Sequence, residues 1–188
     1  ATIQPAVEAN IPVTVRDTMR PLGRFSTIPA RGGSGSPRPA TAIASRGPIQ
    51  VITIESTRML AQSGFLARIF EVFGRLGASV DVVATAEVSV SLTVEATAPI
   101  DALRRELSAF AHVSVASERA LVALVGERLK HTPSLAARVF GALASINVEM
   151  ISMGSNEINL SLVVERKDEA AAVRLLHQAL FSGNGETK

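Results

Sequence analysis

The chain has 188 residues, a formal net charge of +2 and 47% hydrophobic residues, which suits packed cores rather than disorder or a basic nucleic-acid surface. It contains no cysteine, which excludes disulfides, thiolate metal sites and cysteine nucleophiles. No apolar run approaches the roughly 20 residues of a membrane helix, and the first residues lack a secretion signal. We therefore expect a soluble, cytoplasmic protein with no membrane and no nucleic-acid partner.

The aromatic residues also argue against nucleic-acid binding. The chain has no Trp or Tyr and seven Phe, and six of the Phe residues fall in stretches that are predicted to be helical. RNA-reading sheets stack bases on aromatic residues of their strands. A nucleic-acid-binding sheet is therefore disfavoured.

The first 39 residues differ in composition from the rest. The segment ATIQPAVEANIPVTVRD predicts the end of a helix, a turn at Ala9-Asn10 and a short strand over residues 12–16. Residues 1–27 are too few for a core of their own and are interpreted as the tail of a larger domain. Residues 28–39, IPARGGSGSPRP, are rich in Gly, Ser and Pro and predict a flexible linker.

An internal repeat follows the linker. Residues 68–95 align with residues 138–165, and in each copy a stretch with helical periodicity precedes two β-rich stretches and a second helix. The strands are predicted at residues 79–85, 87–95, 148–153 and 157–165, and the second helices at residues 99–110 and 168–180.

The first copy is completed by VITIES before it and HVSVAS after it, which gives the βαββαβ order of a ferredoxin-like α+β fold. The second copy starts with ALVALVG but ends in a polar tail, so it lacks its last strand. The unassigned segment Ala40–Ser45 fits that role, which predicts two interleaved domains. The predicted divisions are a strand for the second domain at 40–48, a first domain at 49–118, a second domain at 119–182 and a tail at 183–188.

Residues 56–93, STRMLAQSGFLARIFEVFGRLGASVDVVATAEVSVSLT, closely resemble the first ACT domain of lysine-sensitive aspartate kinases. NVEMISMGSNEINLSLVV and the closing LHQALF resemble the second ACT domain, and ATIQPAVEANIPVTVRD resembles the end of the amino-acid-kinase domain. The resemblance implies a regulatory C-terminal part that follows a kinase-domain remnant. It implies no catalytic residue and no cofactor in this chain, because ATP and Mg²⁺ bind to the kinase domain.

The function that the resemblance implies is feedback control of the conversion of ATP and L-aspartate to 4-phospho-L-aspartate. L-lysine, or threonine, binds between the first ACT domains of a homodimer and disfavours the active state of a kinase domain, in cis or as a separate subunit. The alternatives are a structural dimerisation module without a ligand and the C-terminal end of a full-length active enzyme. Family members occur in the bacterial cytosol and in plastids, so a plastid location is the alternative to the cytoplasm.

Two features suit the two ends of a free amino acid. Gly64, Phe65 and Leu66 open the first helix, where unpaired backbone N–H groups can hold a carboxylate, although Gly64 could merely complete a turn. Asp81 interrupts an apolar strand and is a candidate for the ammonium contact. Alternation along the strand predicts one face of Ser79, Asp81 and Val83 and another of Val80 and Val82, so Asp81 could instead be a solvent-facing edge residue.

The resemblance implies that Thr85 and Glu87 lie near the effector and the partner subunit, and Met59 suits the aliphatic stem of lysine. A hairpin-turn role for Glu87 and a core role for Met59 are the alternatives. Family members commonly have a serine where Ala86 stands, so a hydroxyl is missing there. The full predicted effector set is Met59, Gln62, Gly64, Phe65, Leu66, Ser79, Val80, Asp81, Thr85, Ala86 and Glu87.

The remaining polar residues indicate no further site. The three histidines, His112, His131 and His177, have no carboxylate or second histidine spaced to share a helix face, which argues against a metal or a catalytic triad. The GGSGS segment lacks the Lys-Ser/Thr ending of a phosphate loop. In the second copy the hairpin is expected to support pairing between domains, through Asn156, Glu157 and Asn159.

Overall fold

The computed structural model describes residues 3–28, 40–60, 63–154 and 157–182, and the chain divides into two compact units, Ala1–Arg38 and Pro39–Lys188. Of the predicted linker and tail, residues 29–39 and 183–188 lie outside the described residues.

The first unit contains a short helix and a two-stranded antiparallel sheet. Helix α1 spans Gln4–Glu8, and strand β1 (Val13–Val15) pairs with β2 (Ser26–Ile28). Strand β1 confirms the predicted short strand. Strand β2 was not predicted, and it includes Ile28, which the sequence assigned to the linker.

The second unit is built on a six-stranded antiparallel sheet in the order β4-β5-β3-β6-β8-β7. The strands are β3 Ala40–Glu55, β4 Val80–Thr85, β5 Ser89–Glu95, β6 His112–Gly126, β7 Val148–Met153 and β8 Asn159–Glu165. The helices are α2 Phe65–Arg75, α3 Ile100–Leu107, α4 Leu135–Ala142 and α5 Glu169–Phe181, with 3-10 turns at Thr57–Leu60, Leu129–His131 and Arg166–Asp168.

The two long strands β3 and β6 join the repeats. They pair antiparallel along their whole length, from Ala40 opposite Gly126 to Glu55 opposite His112. The first half of β3 adjoins the half of β6 that pairs with β8, and the second half of β3 pairs with β5. Each βαββαβ unit therefore contains one half of each long strand, which confirms the interleaved α+β fold. The domain boundaries stay a prediction, because both strands continue across them.

Each repeat buries its own helix-covered core. In the first core, Ile52 and Ile54 of β3 pack with Ile69 and Phe73 of α2 and with Leu103 of α3. The second core has the same plan, with strand residues of β6 and β8 packed against α4 and α5. Its members include Leu124, Leu129, Leu135, Leu160 and Leu176. Apolar side chains at helical spacing supply one face of each helix, which is what the repeat predicted.

A third core lies on the other face of the sheet. It contains Ile49, Val51 and Val82 from the first repeat and Met150 and Val163 from the second. Because successive strand residues point to opposite faces, Val51 lies opposite Ile52 of the first core. Strands β4 and β7 contact each other although they stand at opposite ends of the strand order. The sheet therefore curls, and the helix-free faces of the two repeats pack on each other.

The predicted alternation along β4 is wrong because a β-bulge interrupts it. The pairing with β5 shifts between Val80 and Val83. Val80 packs against the first core, whereas Val82 is buried in the third core, and its N–H donates to Thr93 Oγ1 at 2.9 Å. Strand β7 has the same shift before Met150. Because of the bulge, side chains of this one edge strand pack in two different cores.

Replacing Met150 with alanine should test the third core. We expect Met150→Ala to lower the free energy of unfolding by about 2–5 kcal/mol, because it removes buried contacts between the two repeats. Ile151 is the control, since it is the next residue of β7 and is 46% exposed; Ile151→Ala should cost about 1 kcal/mol or less. Urea unfolding followed by circular dichroism measures both, and equal losses would contradict the packing of the two faces.

Candidate functional site

The candidate site lies where β3 ends and α2 begins. The 3-10 turn after β3 sits beside the hairpin that joins β4 to β5, since the Ser56 N–H donates to the Val88 carbonyl at 2.8 Å. The Ala86 N–H closes the hairpin by donating to the Ser89 carbonyl at 2.8 Å. This pairing places the exposed residues Thr85, Ala86 and Glu87 next to the segment that leads into α2.

The start of α2 is open to a ligand. Gly64 precedes the helix with φ 84° and caps it with no side chain of its own, and a Cβ on Gly64 would meet nothing within 4 Å. Leu66 is partly exposed. A helix N-terminus without a side-chain cap presents N–H groups that favour an anion. The predicted carboxylate-binding geometry is therefore available here.

Two predicted effector residues also belong to the first core. Phe65 is buried, and its ring stands edge-on to Phe110 with centroids 5.8 Å apart. Met59 is half-buried and packs against the same core. Gln62 lies outside the described residues.

Glu87 lies in the hairpin and does not begin β5, which starts at Ser89. This corrects the predicted strand, and the cause is the turn closed between Ala86 and Ser89. The Glu87 side chain is exposed. Within the part of the chain that the structure describes, it has no hydrogen-bond or ion-pair partner.

The other predicted residues lie at the opposite end of β4. Ser79, Val80 and Asp81 stand at its start, and Thr85 at its end, so at about 3.3 Å per residue the two groups are roughly 15 Å apart. One chain therefore places the segment from Met59 to Leu66 after the strand end that is bonded to the hairpin, whereas Asp81 lies toward the opposite end of β4.

Asp81 forms an ion pair that the sequence did not reveal. Arg46 Nη2 contacts Asp81 Oδ2, and Arg46 Nη1 lies 3.4 Å from Glu95 Oε1. In the second repeat Arg119 Nε donates to Glu149 Oε2 at 2.7 Å. This hydrogen bond raises the pKa of Arg119 above its ordinary value, despite the opposing effect of burial. No local pattern indicates these pairs, because the partners are 35 and 30 residues apart in sequence.

The second repeat has a further polar contact at its own hairpin. His131 Nε2 lies 3.0 Å from Glu157 Oε1, and Lys130 Nζ lies 3.6 Å from the same oxygen. The sequence indicated no carboxylate spaced to share a helix face with His131, and the one that contacts it lies 26 residues away, in the hairpin. Asn159 pairs in register with Val125 of β6. Asn156 lies outside the described residues.

The described residues show no other candidate centre of this kind. They contain no group of three His, Asp or Glu that could hold a metal ion. No helix in the described ranges is long and apolar enough to cross a membrane. Clefts of about 530 and 660 Å³ lie at the starts of α3 and α5, and neither contains a predicted effector residue.

Comparison with known proteins shows which class of domain the two repeats belong to. The ACT domain family model matches residues 122–180, which is the second repeat. The interleaved pair of βαββαβ units is therefore a tandem ACT region.

The relatives narrow the class to a family. The chain is 36% identical over 96% of its length to the chloroplastic aspartokinase 3 of Arabidopsis thaliana and covers 34% of that protein. It is 35% identical over 96% of its length to the lysine-sensitive aspartokinase 3 of Escherichia coli and covers 42% of it. The chain belongs to the aspartokinase family and corresponds to its ACT-containing regulatory region. It spans about a third of the plant relatives' length.

Solved structures of aspartokinases superpose on this chain and agree with the family assignment. Escherichia coli aspartokinase III in complex with lysine and aspartate superposes with a TM-score of 0.81 at 36% identity, over 96% of this chain and 41% of that one. A C-terminal regulatory domain of aspartate kinase from Porphyromonas gingivalis gives a TM-score of 0.67 at 33% identity, over 74% of this chain and 96% of that one.

Substituting Gly64 should show the strain at the start of α2. An L-residue at φ 84° is unfavourable, so Gly64→Ala should lower the free energy of unfolding by about 1–2 kcal/mol. Gly74 lies inside α2 with open space around it, and Gly74→Ala should be neutral or stabilising by up to about 1 kcal/mol. Urea unfolding compares the two, and a stabilising Gly64→Ala would contradict the left-handed turn.

Removing His131 should raise the pKa of Glu157. The hydrogen bond from His131 lowers this pKa from 4.5, so His131→Ala should move it back upward. Because the folded-state pKa is below the unfolded one, the contact stabilises the protein above pH 4.5, and this stabilisation is lost as the pH falls through the folded-state pKa. Carbon-13 NMR titration of the Glu157 carboxyl measures the shift.

His177→Ala is the control for this titration, since His177 stacks on Phe181 and makes no described contact with Glu157. It should leave the pKa of Glu157 unchanged. An unchanged pKa in His131→Ala would show that the imidazole does not reach the carboxylate in solution.

Proposed function

We propose that this chain is the part of an aspartate kinase that senses lysine for feedback inhibition. The observation that carries the proposal is the superposition on the lysine-bound aspartokinase III over 96% of the chain. The hairpin that carries Glu87 is bonded to the segment leading into α2 through Ser56 and Val88, and an amino acid would need both an anion site, such as the helix start at Gly64, and a carboxylate.

The chemistry of the site fits a dibasic amino acid. The N–H groups at the start of α2 would hold the carboxylate of lysine, aided by the helix dipole. Glu87 would attract an ammonium group, and Met59 would contact the aliphatic stem. The hydroxyl absent at Ala86 removes one hydrogen bond, for which a net cost of about 0.5–1.5 kcal/mol is typical.

A homodimer would bring Asp81 into the same site. Strand β4 is an edge of the six-stranded sheet, paired only with β5 among the described strands. Antiparallel pairing of two β4 strands about a twofold axis would place Asp81 of one protomer near Thr85–Glu87 of the other. Arg46 occupies only Oδ2 of Asp81, and a carboxylate has further lone pairs for an ammonium.

Inhibition then follows from differential binding. The paired first ACT domains can adopt more than one arrangement in the dimer. Lysine favours the arrangement to which it binds more tightly. The kinase domain, in cis or as a separate subunit, would carry ATP, Mg²⁺ and L-aspartate and would be less active in the favoured state. Threonine is the alternative effector.

A structural dimerisation module without a ligand is the second candidate function. The observation that favours it is the ion pair between Asp81 and Arg46 together with its counterpart between Glu149 and Arg119. A repeated acid–arginine pair can serve to fix the edge strand at each bulge. The two functions differ in whether any amino acid stabilises the chain.

A thermal-shift titration with the protein amino acids tests the proposal. L-lysine at about 100 times its Kd should stabilise the fold by about 2.7 kcal/mol and raise Tm by about 5–10 °C. Asp81→Asn should abolish the shift. No shift with any amino acid would favour the dimerisation module.

Glu95→Gln is the matched control, because Glu95 also contacts Arg46 but lies outside the predicted effector set. It should keep the lysine shift. Loss of the shift in both variants would show that Arg46, and not Asp81 itself, organises the site.

A further inference from the structure

The first half of β3 is an open edge of the sheet. On one side it pairs with β6 as far as Arg46, and within residues 42–46 this pairing is regular. On its other side β3 pairs with β5, but only from Ile49 onward. Among the described strands, therefore, none covers the outer side of residues 42–46, which we call the edge segment.

The hydrogen-bond register shows which backbone groups of the edge segment point outward. The Gly126 N–H donates to the Ile158 carbonyl at 3.0 Å. Even-numbered residues in this half of β6 therefore bond to β8, and the odd-numbered residues bond to β3. The odd-numbered residues stand opposite the even-numbered residues of the edge segment. The N–H and C=O groups of Ile43 and Ser45 thus point away from the sheet, and no hydrogen bond between described residues reaches them.

The edge segment has little protection against the addition of a further strand. Natural sheets commonly protect an exposed edge with Lys, with Pro or with a charge that points inward. Residues 42–45 are Ala-Ile-Ala-Ser, and all except Ile43 are exposed. An uncharged stretch with free main-chain donors and acceptors is the kind of edge to which an extended peptide adds as a strand.

A cleft of about 660 Å³ lies beside the end of the edge segment. Ser45 forms one wall, and the other wall is the flank of α5 with the turn before it, which consists of Arg166, Lys167, Glu169, Ala170, Val173 and Arg174. Arg166 contacts Glu169 within this wall, and Lys167 contacts Glu165 outside it. Arg174 has no hydrogen-bond or ion-pair partner among the described residues. The cleft is therefore lined by three cations and one anion.

The first repeat lacks this charge at the corresponding place. The two residues that follow β5 are Ala96-Thr97, whereas the two that follow β8 are Arg166-Lys167. The cleft at the start of α3 is lined by one cation and one anion, Arg105 and Asp101. The excess of positive charge is therefore a feature of the second repeat.

We propose that the edge segment binds an extended acidic segment of another protein, which adds a strand to β3. Main-chain hydrogen bonds to Ile43 and Ser45 supply part of the affinity. Successive side chains of the added strand point to opposite faces, so carboxylates at alternate positions meet Arg166, Lys167 and Arg174.

Charge favours this partner over two other occupants of the edge. A second copy of this chain that paired through the same edge would bring the cations of the two clefts together, and like charges in contact are unfavourable. The residues that precede β3 in the sequence, 29–39, include Arg31 and Arg38 and no acidic residue. Neither occupant complements the cleft.

Two fluorescein-labelled peptides test the proposal. One has the sequence Glu-Val-Glu-Val-Glu-Val-Glu, and the other has Lys in place of each Glu. Fluorescence anisotropy with the full chain at low salt should show saturable binding of the acidic peptide, weakened by added salt, and no binding of the basic one. No binding of the acidic peptide, or equal binding of both, would overturn the proposal.

Proline at Ser45 tests the strand addition itself. Ser45→Pro removes an outward N–H and leaves the bonds to β6 in place, as edge strands tolerate. It should weaken binding of the acidic peptide about threefold or more, because a main-chain hydrogen bond is lost. Ser45→Ala keeps the N–H and should bind like the wild type. Equal affinities in the two variants, with both folded by circular dichroism, would contradict strand addition.

Removing cations from the cleft tests the charge. Lys167→Ser/Arg174→Ser changes two exposed side chains and should weaken binding about threefold or more at low salt. This variant decides the proposal if Ser45→Pro fails to fold. Arg105→Ser removes a cation from the cleft of the first repeat and should leave the affinity unchanged. Equal weakening in both variants would show attraction to the overall charge and would overturn the proposal.

Sedimentation velocity tests the second copy as the occupant. The proposal expects Ser45→Pro to leave the oligomeric state of the chain unchanged. An oligomer of the wild type that Ser45→Pro dissociates would show that the edge is an interface between copies of this chain, which would overturn the proposal.

Discussion

The antiparallel pairing of β3 with β6 is the constraint on which the second unit depends. Each strand serves both repeats, so neither βαββαβ sheet is complete without the other. The curl of the sheet buries Val82 and Met150 in one shared core. A shift of a residue in one edge strand is therefore transmitted directly to the other repeat, because the packed side chains between them are poorly compressible. This continuity suits the regulatory region of an aspartokinase.

Sequence reasoning succeeded where the pattern is long or local. The repeat, the missing last strand of the second copy and the spare segment Ala40–Ser45 together predicted the interleaving, because a βαββαβ unit needs all four strands. Sequence reasoning failed where side-chain contacts depend on the register between strands. Alternation along β4 could not reveal the bulge after Val80, and the Arg46 contact to Asp81 joins residues that are 35 apart in sequence.

Charge distinguishes two otherwise similar repeats. Both hairpins carry a glutamate at the same place, but Glu157 lies 3.0 Å from His131 Nε2 and 3.6 Å from Lys130 Nζ, whereas Glu87 faces solvent. The turn that supplies Lys130 and His131 is short, so the difference needs only adjacent residues and no change of fold. Duplicated domains can diverge in this way: the backbone is kept, and the contacts of a few side chains differ.

The interleaving also sets the order in which the chain can be assembled during synthesis. Residues 40–46 leave the ribosome before the whole first repeat, yet they pair with residues 121–126. Residues 40–46 cannot pair, and their backbone groups stay bonded to water, until about 75 further residues have been made. Synthesis of these residues takes some 4–15 s at typical elongation rates. The second repeat is thus the last part of the unit to become complete, although it contains the strand that is made first.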